Sequence, residues 1–596
     1  MKFAFEKDLH NWLKERFGED APAPSVELCP EGFSGDVTVS CFPLAKPLRQ
    51  NPMKLAGEVG EFLAAHADVK NVEVAKAFVN LTLDHSAIMR DTVAEEGAIL
   101  KDAVLPEGER RRILIEFSAP NTNKPQHLGH VRNNAIGMCT ASILKRAGHD
   151  VVQVNLVNDR GIHICKSMIA YQRFGENCTP ESTGKKGDHL VGDFYVRYNT
   201  ELERQIAELR QAQPELAGED KDALFLKTEI GAATAKMLQD WEAGEPEVRA
   251  LWEKMNKWVF DGFAETYKRM GISFDQLYLE SETYKLGKDI VTQGLEKGVF
   301  KRREDGAVII DFDDKKLGSK VVLRSDGTSV YITQDMGTTL LKQRDFQPDQ
   351  QMWVVGDEQI YHFQVLFSIL KALGYSWADK LVHMAYGMVN LPTGKMKSRE
   401  GTVVDADDLF DEMANLARTA TLERVPEGGQ APEDLEQRAA VISMAALKFM
   451  LLKVNPRTTI MFDPNAAIKF EGDTGPYVLY AYARISSMLR QPELMEAAKL
   501  PVDWSLLEAP AEKRLALRAA RYPEALCRAA REYDSSALAS YLLDLGKDFS
   551  AFYNQCPVKN AATPELRAAR AALSKAVRDI IGDGLHTMTI ETLESM

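Results

Sequence analysis

An apolar segment, Ile113-Leu114-Ile115-Glu116-Phe117, runs into a Pro- and Asn-rich turn over 118–126 and then into a helical pattern from about Gly129 to Ala147. Gly148 supplies a C-terminal stop, and Val151 to Leu156 reads as a second buried strand. A strand, a crossover helix and another strand make a β-α-β unit, which commits this region to a parallel sheet. In the first turn of that helix stand two imidazoles, His127-Leu128-Gly129-His130. A helix N-terminus presents unpaired N–H groups and partial positive charge, so it attracts phosphate, and two His donors beside it extend the site. Gly129 has no Cβ, which would let a flat adenine ring approach the backbone. Random placement of 11 His and 39 Gly in 596 residues yields about 0.01 matches to His-x-Gly-His. Position after a strand therefore favours a nucleotide-binding turn over a surface helix start with two solvated His.

The length of 596 residues suggests about three to five domains. With 45% apolar and 27% charged residues the composition is ordinary for a globular protein, and no apolar run approaches the ~18 residues of a membrane helix. Met1-Lys2-Phe3-Ala4-Phe5-Glu6-Lys7-Asp8 carries charges where a secretory segment would be apolar, so the chain is expected to be cytoplasmic, with no membrane partner. The seven cysteines (Cys29, Cys41, Cys139, Cys165, Cys178, Cys527, Cys556) are scattered and form no C-x-x-C. That disfavours a disulfide framework and a structural zinc site. The formal charge of −14 is awkward for a nucleic-acid partner, whose phosphates need Lys and Arg. A local stripe is still available: Arg514, Arg518 and Arg521 recur at helical spacing, followed by Arg528 and Arg531. It reads either as a phosphate-binding face or as a solvated one.

Residues 1–109 mix short helices and strands, with a strand near Gly35–Ser40 and a helix near Pro52–Ala65. They end at the turn Leu105-Pro106-Glu107-Gly108, which marks a boundary. Residues 110–400 alternate strands and helices, the pattern of a doubly wound, Rossmann-type parallel sheet. A polar helical insertion with aromatics at Tyr171, Phe174, Phe194, Tyr195 and Tyr198 is expected at about 165–285. The sheet is expected to resume with Val308–Phe312, Val321–Leu323 and Met352–Val355. Residues 401–439 read as a connecting region containing the linker candidate Pro426–Pro432. From 440 to 596, long Ala-, Leu- and Arg-rich helices (Ala440–Lys453, Gly475–Leu489, Lys513–Arg531) predict an all-α bundle. Thr563 and Pro564 open the last helix as N-cap and first helical residue. The fold class is thus an α/β catalytic core with a helical insertion, an N-terminal α+β domain and a C-terminal helical bundle.

At the end of the α/β region lies a basic loop with glycine at both edges, Gly394-Lys395-Met396-Lys397-Ser398-Arg399-Glu400-Gly401. Its cations could close over a triphosphate and steady charge on departing pyrophosphate, although alone such a loop also reads as a solvated turn. Taken together, His127-Leu128-Gly129-His130 resembles the HIGH motif of class I aminoacyl-tRNA synthetases, and Lys395 to Arg399 resembles their KMSKS motif. The longer run from Ser118 to Arg132 resembles the arginyl-tRNA synthetases. Three further stretches fit that family: Asn155 to Asp159, Tyr331 to Gly337 and Gly475 to Arg484. The C-terminal helix around Leu566–Arg570 suits its anticodon-binding domain. The resemblance spans essentially the whole chain and is strongest between 110 and 400.

A guanidinium is planar, permanently charged and rich in donors, so a selective pocket needs a carboxylate in its plane. Tyr331 and Asp335 are spaced i, i+4 and share a face if their segment is helical, so the acid could pair with guanidinium while the phenol bonds or stacks against it. An ordinary exposed helix pair is the other reading. The resemblance implies that Tyr331 and Asp335 recognise the side chain, that Gln359 and Asn155 line the same pocket, and that Asn121 sits near the amino acid's backbone groups. It implies ATP binding by His127, Gly129, His130, Lys395, Met396, Lys397 and Ser398.

The basic loop departs from the family pattern. Ser398 stands where a second lysine is usual, and Arg399 replaces a final serine. Some members carry the missing lysine just upstream of the HIGH motif, and Lys124 matches that alternative. The resemblance therefore assigns catalysis to His127, His130, Lys124 and Lys395. A second departure is Asn158-Asp159-Arg160, where many relatives have Gly-Asp-Trp. The implied activity is ATP-dependent joining of L-arginine to tRNA(Arg) through arginyl-adenylate, with Mg²⁺ accompanying ATP. Also implied are tRNA bound before activation, an N-terminal domain on the tRNA elbow and a bundle on the anticodon; a monomer is the default. Three alternatives stay open: another class I synthetase, a small-molecule adenylyltransferase with an HxGH loop, and a catalytically silent tRNA-binding paralogue.

Overall fold

The computed structural model describes residues 3–30, 32–84, 89, 97–391, 404–426 and 429–596. The basic loop with Lys395, Met396, Lys397 and Ser398 lies outside the described residues, as does part of the Pro426–Pro432 stretch.

Helix α1 (Ala4–Phe17) and helix α2 (Pro52–Ala64) cover one antiparallel sheet of β1 (Val26–Leu28), β2 (Val37–Ser40), β3 (Val69–Ala75) and β4 (Phe78–Leu83), in the order β1-β2-β4-β3. Asn51 starts α2 by accepting the N–H groups of Met53 (3.0 Å) and Lys54 (3.2 Å), with Pro52 at the first position, where a missing N–H costs nothing. Phe5, Leu9, Leu13, Val37, Val39, Leu55, Val59 and Leu81 form the core between these layers.

The α/β region is built on β5 (Arg112–Glu116), crossed over by α3 (Leu128–Arg146) to β6 (Asp150–Val157). Five strands run in the order β12-β11-β5-β6-β7, every pairing parallel, where β7 is Gln276–Leu279, β11 is Gln350–Gly356 and β12 is Leu381–Tyr386. Parallel strands bring all their carboxyl ends to one edge, where such sheets bind ligands. Helix α3 lies close on the sheet at Gly137, where a Cβ would come within 2.3 Å of the Phe117 ring.

The insertion comprises α4 (Ile162–Phe174), α5 (Gly187–Ala212), α6 (Glu229–Ala243) and α7 (Pro246–Met270). It has its own core, in which Tyr171, Phe194 and Tyr198 are buried with Met168, Val259 and Phe263. It ends earlier than the expected residue 285, because β7 pairs with β6 and belongs to the main sheet. The expected return of the sheet at 308–323 is also corrected. Strand β8 (Lys301–Arg302), β9 (Val308–Asp311) and β10 (Ser319–Leu323) form a separate antiparallel sheet. One face of it covers Ile290, Val291 and Phe300, and alternate residues face out; a short apolar run looks alike in either setting. Helix α8 (Tyr331–Phe346) leads back into β11, and α9 (Ile360–Ala372) crosses to β12.

Strand β13 (Val389–Asn390) follows, then α10 (Ala406–Leu422) and α11 (Leu435–Leu452), before β14 (Ile460–Met461) pairs parallel with β13. Fully buried Arg132 of α3 fixes this junction by donating to the carbonyls of Met388 (2.6 Å), Pro456 (3.0 Å) and Thr458 (2.6 Å). The bundle is α12 (Gly475–Leu489), α13 (Pro510–Ala520), α14 (Tyr522–Glu532), α15 (Ser535–Gln555) and α16 (Pro564–Thr587), the last capped by Thr563 as expected. The single helix expected over Lys513–Arg531 is broken at Arg521, since Pro523 has no N–H to return to Ala519.

That break explains the basic run. Arg514 and Arg518 each bind Asp548 at 2.8 Å, Arg521 binds Glu6 (3.0 Å) and the carbonyl of Val26, and Arg531 binds Glu109 (2.8 Å). Leu517 and Ala520 enter the N-terminal core itself. Arg514, Arg518 and Arg521 thus form a seam between bundle and N-terminal domain, while Arg528 and Arg531 stay exposed in ion pairs with Glu532 and Glu109.

Candidate active site

The chain leaves β5 in strained backbone: Ser118 (φ 79°) and Ala119 (φ 46°) are both left-handed although neither is glycine. Such residues cost about 1–3 kcal/mol each and persist only where their surroundings dictate them. Here Asn133 of α3 accepts the N–H of Ser118 (2.6 Å), and Asn155 of β6 accepts that of Ala119 (3.0 Å). The phenol of Tyr267, from insertion helix α7, closes the network at 2.7 Å from Ser118 Oγ and 3.2 Å from Asn155 Nδ2. Asn155 is fully buried with both side-chain atoms engaged, so it positions the turn rather than opening onto a ligand. Asn121, exposed, pairs across to Asn158, whose carbonyl accepts Thr122 N–H at 3.0 Å.

The two imidazoles cap α3 reciprocally. Nδ1 of His127 accepts the N–H of Gly129 (3.1 Å), and Nδ1 of His130 accepts the N–H of His127 (3.2 Å), with ring centroids 4.0 Å apart. Two occupied Nδ1 acceptors leave each Nε2 as the N–H donor. Burial, with Lys124 nearby, pushes His127 down to about 4. Burial, His127 and Lys124 push His130 well below the usual histidine range. The pair is therefore neutral at physiological pH and donates without carrying charge; the permanent cation at this turn is Lys124, which lines the same cleft as His127. Gly129 is required by the turn itself: a Cβ would come within 2.9 Å of His127 Cε1.

The acidic half of the site sits on the same carboxyl edge. Tyr331 and Asp335 occupy the first turn of α8, as their spacing predicts, with Tyr331 76% exposed and open to a ligand. Asp335 lies 2.6 Å from Nε2 of His362, just beyond β11. Gln359, exposed, precedes α9 beside it. Helix α8 meets the segment after β7 backbone to backbone: a Cβ on Gly337 would lie 2.5 Å from Leu286 Cβ, and one on Gly287 2.1 Å from Thr333 O. This contact brings Glu280, the residue following β7, into the field of Asp335. Burial, opposed by Arg160 and reinforced by Asp159 and Asp335, raises Glu280 to about 7.

The departure at Asn158-Asp159-Arg160 has a structural account. Buried Asp159 accepts Ser281 N–H (2.8 Å) and Oγ–H (2.6 Å), while its carbonyl accepts Trp252 Nε1–H (2.6 Å). Arg160 lies 3.8 Å over the Tyr284 ring and donates to Glu242 (2.8 Å). The loop thus ties β6, β7 and the insertion together.

Glu280, His362 and Tyr267 escaped the sequence reading. Glu280 had a usable signal, an acid directly after a short strand, once Gln276–Leu279 is recognised as one. Tyr267 had none, because its role depends on where the insertion folds back.

Residues 97–463 match the family described as "tRNA synthetases class I (R), catalytic domain". Residues 478–596 match "DALR anticodon binding domain", and 4–83 match "Arginyl tRNA synthetase N terminal domain". The chain is 43% identical over 593 residues to an arginine–tRNA ligase of Parabacteroides distasonis, covering 98% of each. It is 44% identical over 591 residues to one of Treponema denticola, covering 96% of this chain and 95% of that one. Among solved structures it resembles arginyl-tRNA synthetase of Thermus thermophilus, with a TM-score of 0.81, 27% identity and full coverage of both chains.

Proposed function

The chain belongs to the arginyl-tRNA synthetases of class I, and on that premise we propose how its own residues carry out the ligation of L-arginine to tRNA with ATP. The observation that carries the reading is the juxtaposition at one sheet edge of neutral imidazole donors and Lys124 with the acids Asp335 and Glu280. A phosphate-binding end and a cation-binding end on one crevice suit a substrate whose guanidinium is held while its carboxylate attacks ATP.

Asp335 takes the forked guanidinium, steadied by His362, with Glu280 as a second acid and Tyr331 and Gln359 closing the pocket. Asn121 holds the amino acid's backbone groups. The carboxylate attacks the α-phosphate in line, giving arginyl-adenylate and pyrophosphate; the terminal 2′-hydroxyl of tRNA then attacks the arginyl carbonyl, forming the ester as the anhydride bond breaks and AMP leaves with the hydroxyl proton passing to its phosphate. Positioning and charge stabilisation carry such steps without a covalent protein nucleophile. His127 and His130 give N–H donors to phosphate oxygens, and Lys124 offsets the developing charge. Lys395 of the basic loop, with Lys397 as a weaker second, adds positive charge for the phosphates. ATP would enter as its Mg²⁺ complex, the ion offsetting phosphate charge; Asp405 and Asp407, which line the same cleft as Lys124, are taken up by helix capping and by Lys186.

The bundle takes the anticodon and the N-terminal domain the tRNA elbow. One copy of the chain carries every group named. Seven free cysteines suit the reducing cytoplasm as the site of action. Pyrophosphate exchange with arginine, ATP and tRNA tests the reading: exchange is expected with arginine alone among amino acids, and exchange insensitive to loss of His127 and Asp335 would overturn the assignment of residues.

A further inference from the structure

Beside the His127 turn a cleft of about 540 Å³ separates the insertion from the start of α10, where Asp405, Asp407, Asp408 and Asp411 line it. On its wall Lys186, the residue before α5, extends its ammonium to Asp188 Oδ2 (3.1 Å), Thr266 Oγ1 (2.6 Å) and Asp407 Oδ2 (2.7 Å). Asp188 is fully buried, and a Cβ on Gly262 would lie 2.4 Å from its Oδ1, so α7 is shaped around that carboxylate. His189 Nε2 stands 3.2 Å from Asp407 Oδ2 and 3.6 Å from Asp405 Oδ2, and Arg269 reaches Asp407 (3.3 Å) and Asp411 (2.6 Å). The candidate ligand atoms of Asp188, His189 and Asp407 lie within 4.8 Å of one another, a spacing that would suit a metal ion. The ammonium of Lys186 supplies the cation there.

This cluster is two residues from the catalytic turn. Residues 404–406 pair antiparallel with 126–128: Leu128 N–H donates to Val404 O (2.9 Å), Ala406 N–H donates to Gln126 O (3.0 Å), and His127 stands opposite Asp405. Asp405 caps α10 through the N–H groups of Asp407 (2.8 Å) and Asp408 (3.2 Å).

We propose that Lys186 is a positioning residue for ATP: its ammonium fastens the insertion to the first turn of α10 and so fixes the strand that backs His127. The proposal rests on the phosphate-binding role of the His127 turn. Without the ammonium, buried Asp188 and half-buried Asp407 face each other with too little positive charge, and the cheapest relief is separation of the insertion from α10. The guanidinium pocket hangs instead on α8 and on the segment after β7, and the insertion stays tied to the sheet through Tyr267 (2.7 Å to Ser118 Oγ) and Trp252 (2.6 Å to the Asp159 carbonyl), so it is α10 that shifts. The effect of Lys186 therefore falls on ATP and spares arginine. His189 agrees with this picture: burial disfavours its charged form, but the bond to Asp407 and the charges of Asp405 and Asp188 outweigh that and raise it.

The test is steady-state pyrophosphate exchange by the full chain with tRNA, comparing K186M and K186R with the unaltered protein. K186M is expected to raise the KM for ATP by about tenfold, in keeping with the cost of misplacing a catalytic group, while the KM for arginine stays within about twofold. K186R, which keeps the charge, is expected to recover most of that loss. Equal rises in both KM values, no rise in either, or K186R as impaired as K186M would each overturn the proposal. If K186M does not fold, D407N gives the same reading, with the same selective rise in KM for ATP expected. H127N separates the two layers: full activity in that variant would bring down the role of the turn, whereas a dead H127N with an ATP-neutral K186M brings down only the role of Lys186.

Discussion

Nε2 of His362 lies 2.6 Å from the carboxylate of Asp335, so the acid proposed to take the guanidinium is already held in one orientation. A carboxylate can fork onto a guanidinium only when its plane is set, and an unbraced side chain loses rotamer freedom each time it binds.

On the proposed assignment, replacing Asp335 by Ala removes the charge partner of the guanidinium, and a charged hydrogen bond lost from a recognition site costs about 2–5 kcal/mol. The KM for arginine is expected to rise by at least about thirtyfold, that for ATP by far less. H362Q keeps a donor and is expected to show a small fraction of this loss. Initial-rate kinetics in both substrates decide it, and equal effects on the two KM values would remove Asp335 from the pocket.

Glu280 sets a pH dependence. Its carboxyl is raised to about 7, so it is ionised above that pH and protonated below. Guanidinium prefers the ionised form, and kcat/KM for arginine should therefore fall as pH drops through about 7, while kcat/KM for ATP shows no matching bend. The stability effect has the opposite sense: a raised carboxyl favours the folded state below its ordinary range and loses that contribution as pH rises through about 7. E280Q should abolish the bend in the arginine profile; a profile unchanged in E280Q would exclude the residue.

The histidines should act as neutral donors. Burial, with Lys124 nearby, holds His127 down to about 4, so kcat/KM for ATP should show no break in the ordinary histidine range. H127Q, whose amide N–H can stand near the Nε2 position, should retain more activity than H127N. Loss of the donor is expected to cost about 10²–10³ in kcat, the scale of a missing transition-state hydrogen bond. A break near the ordinary value, removed by either substitution, would show a charged imidazole instead.

Tyr267 reaches the site from the insertion, and its hydroxyl braces the strained Ser118–Ala119 turn at 2.7 Å. Y267F leaves Ser118 Oγ and Asn155 Nδ2 without that partner and is expected to cost about 1–3 kcal/mol of stability. Because the turn carries Asn121, the KM for arginine should rise as well. Thermal unfolding with arginine kinetics checks both, and a variant that loses neither would leave the brace without a role.

Much of the architecture can be read from local pattern. The β-α-β unit around His127, the start of α8 at Tyr331 and the Thr563 cap of α16 are fixed by periodicity and capping chemistry within a few residues of chain. The same local signals failed where two tertiary settings share one pattern. Strands β9 and β10 are as apolar as core strands yet form their own antiparallel sheet, and the Arg514–Arg531 run looks like a nucleic-acid stripe until Asp548, Glu6 and Glu109 are seen to neutralise it.

The amino-acid order alone determined the helix start at His127-Leu128-Gly129-His130, the shared helical turn of Tyr331 and Asp335 and the division into α/β core, insertion and bundle, because those depend on local pattern along the chain. Only the folded chain decided that Asn155 braces the Ser118–Ala119 turn, that His362 bonds Asp335 and Glu280 lies in its field, and that Lys186 bonds Asp407 from 221 residues earlier in the chain. Electrostatic fields and hydrogen bonds act through space over a few ångströms. Sequence separation carries no information about them until the sheet has gathered its strand ends on one edge.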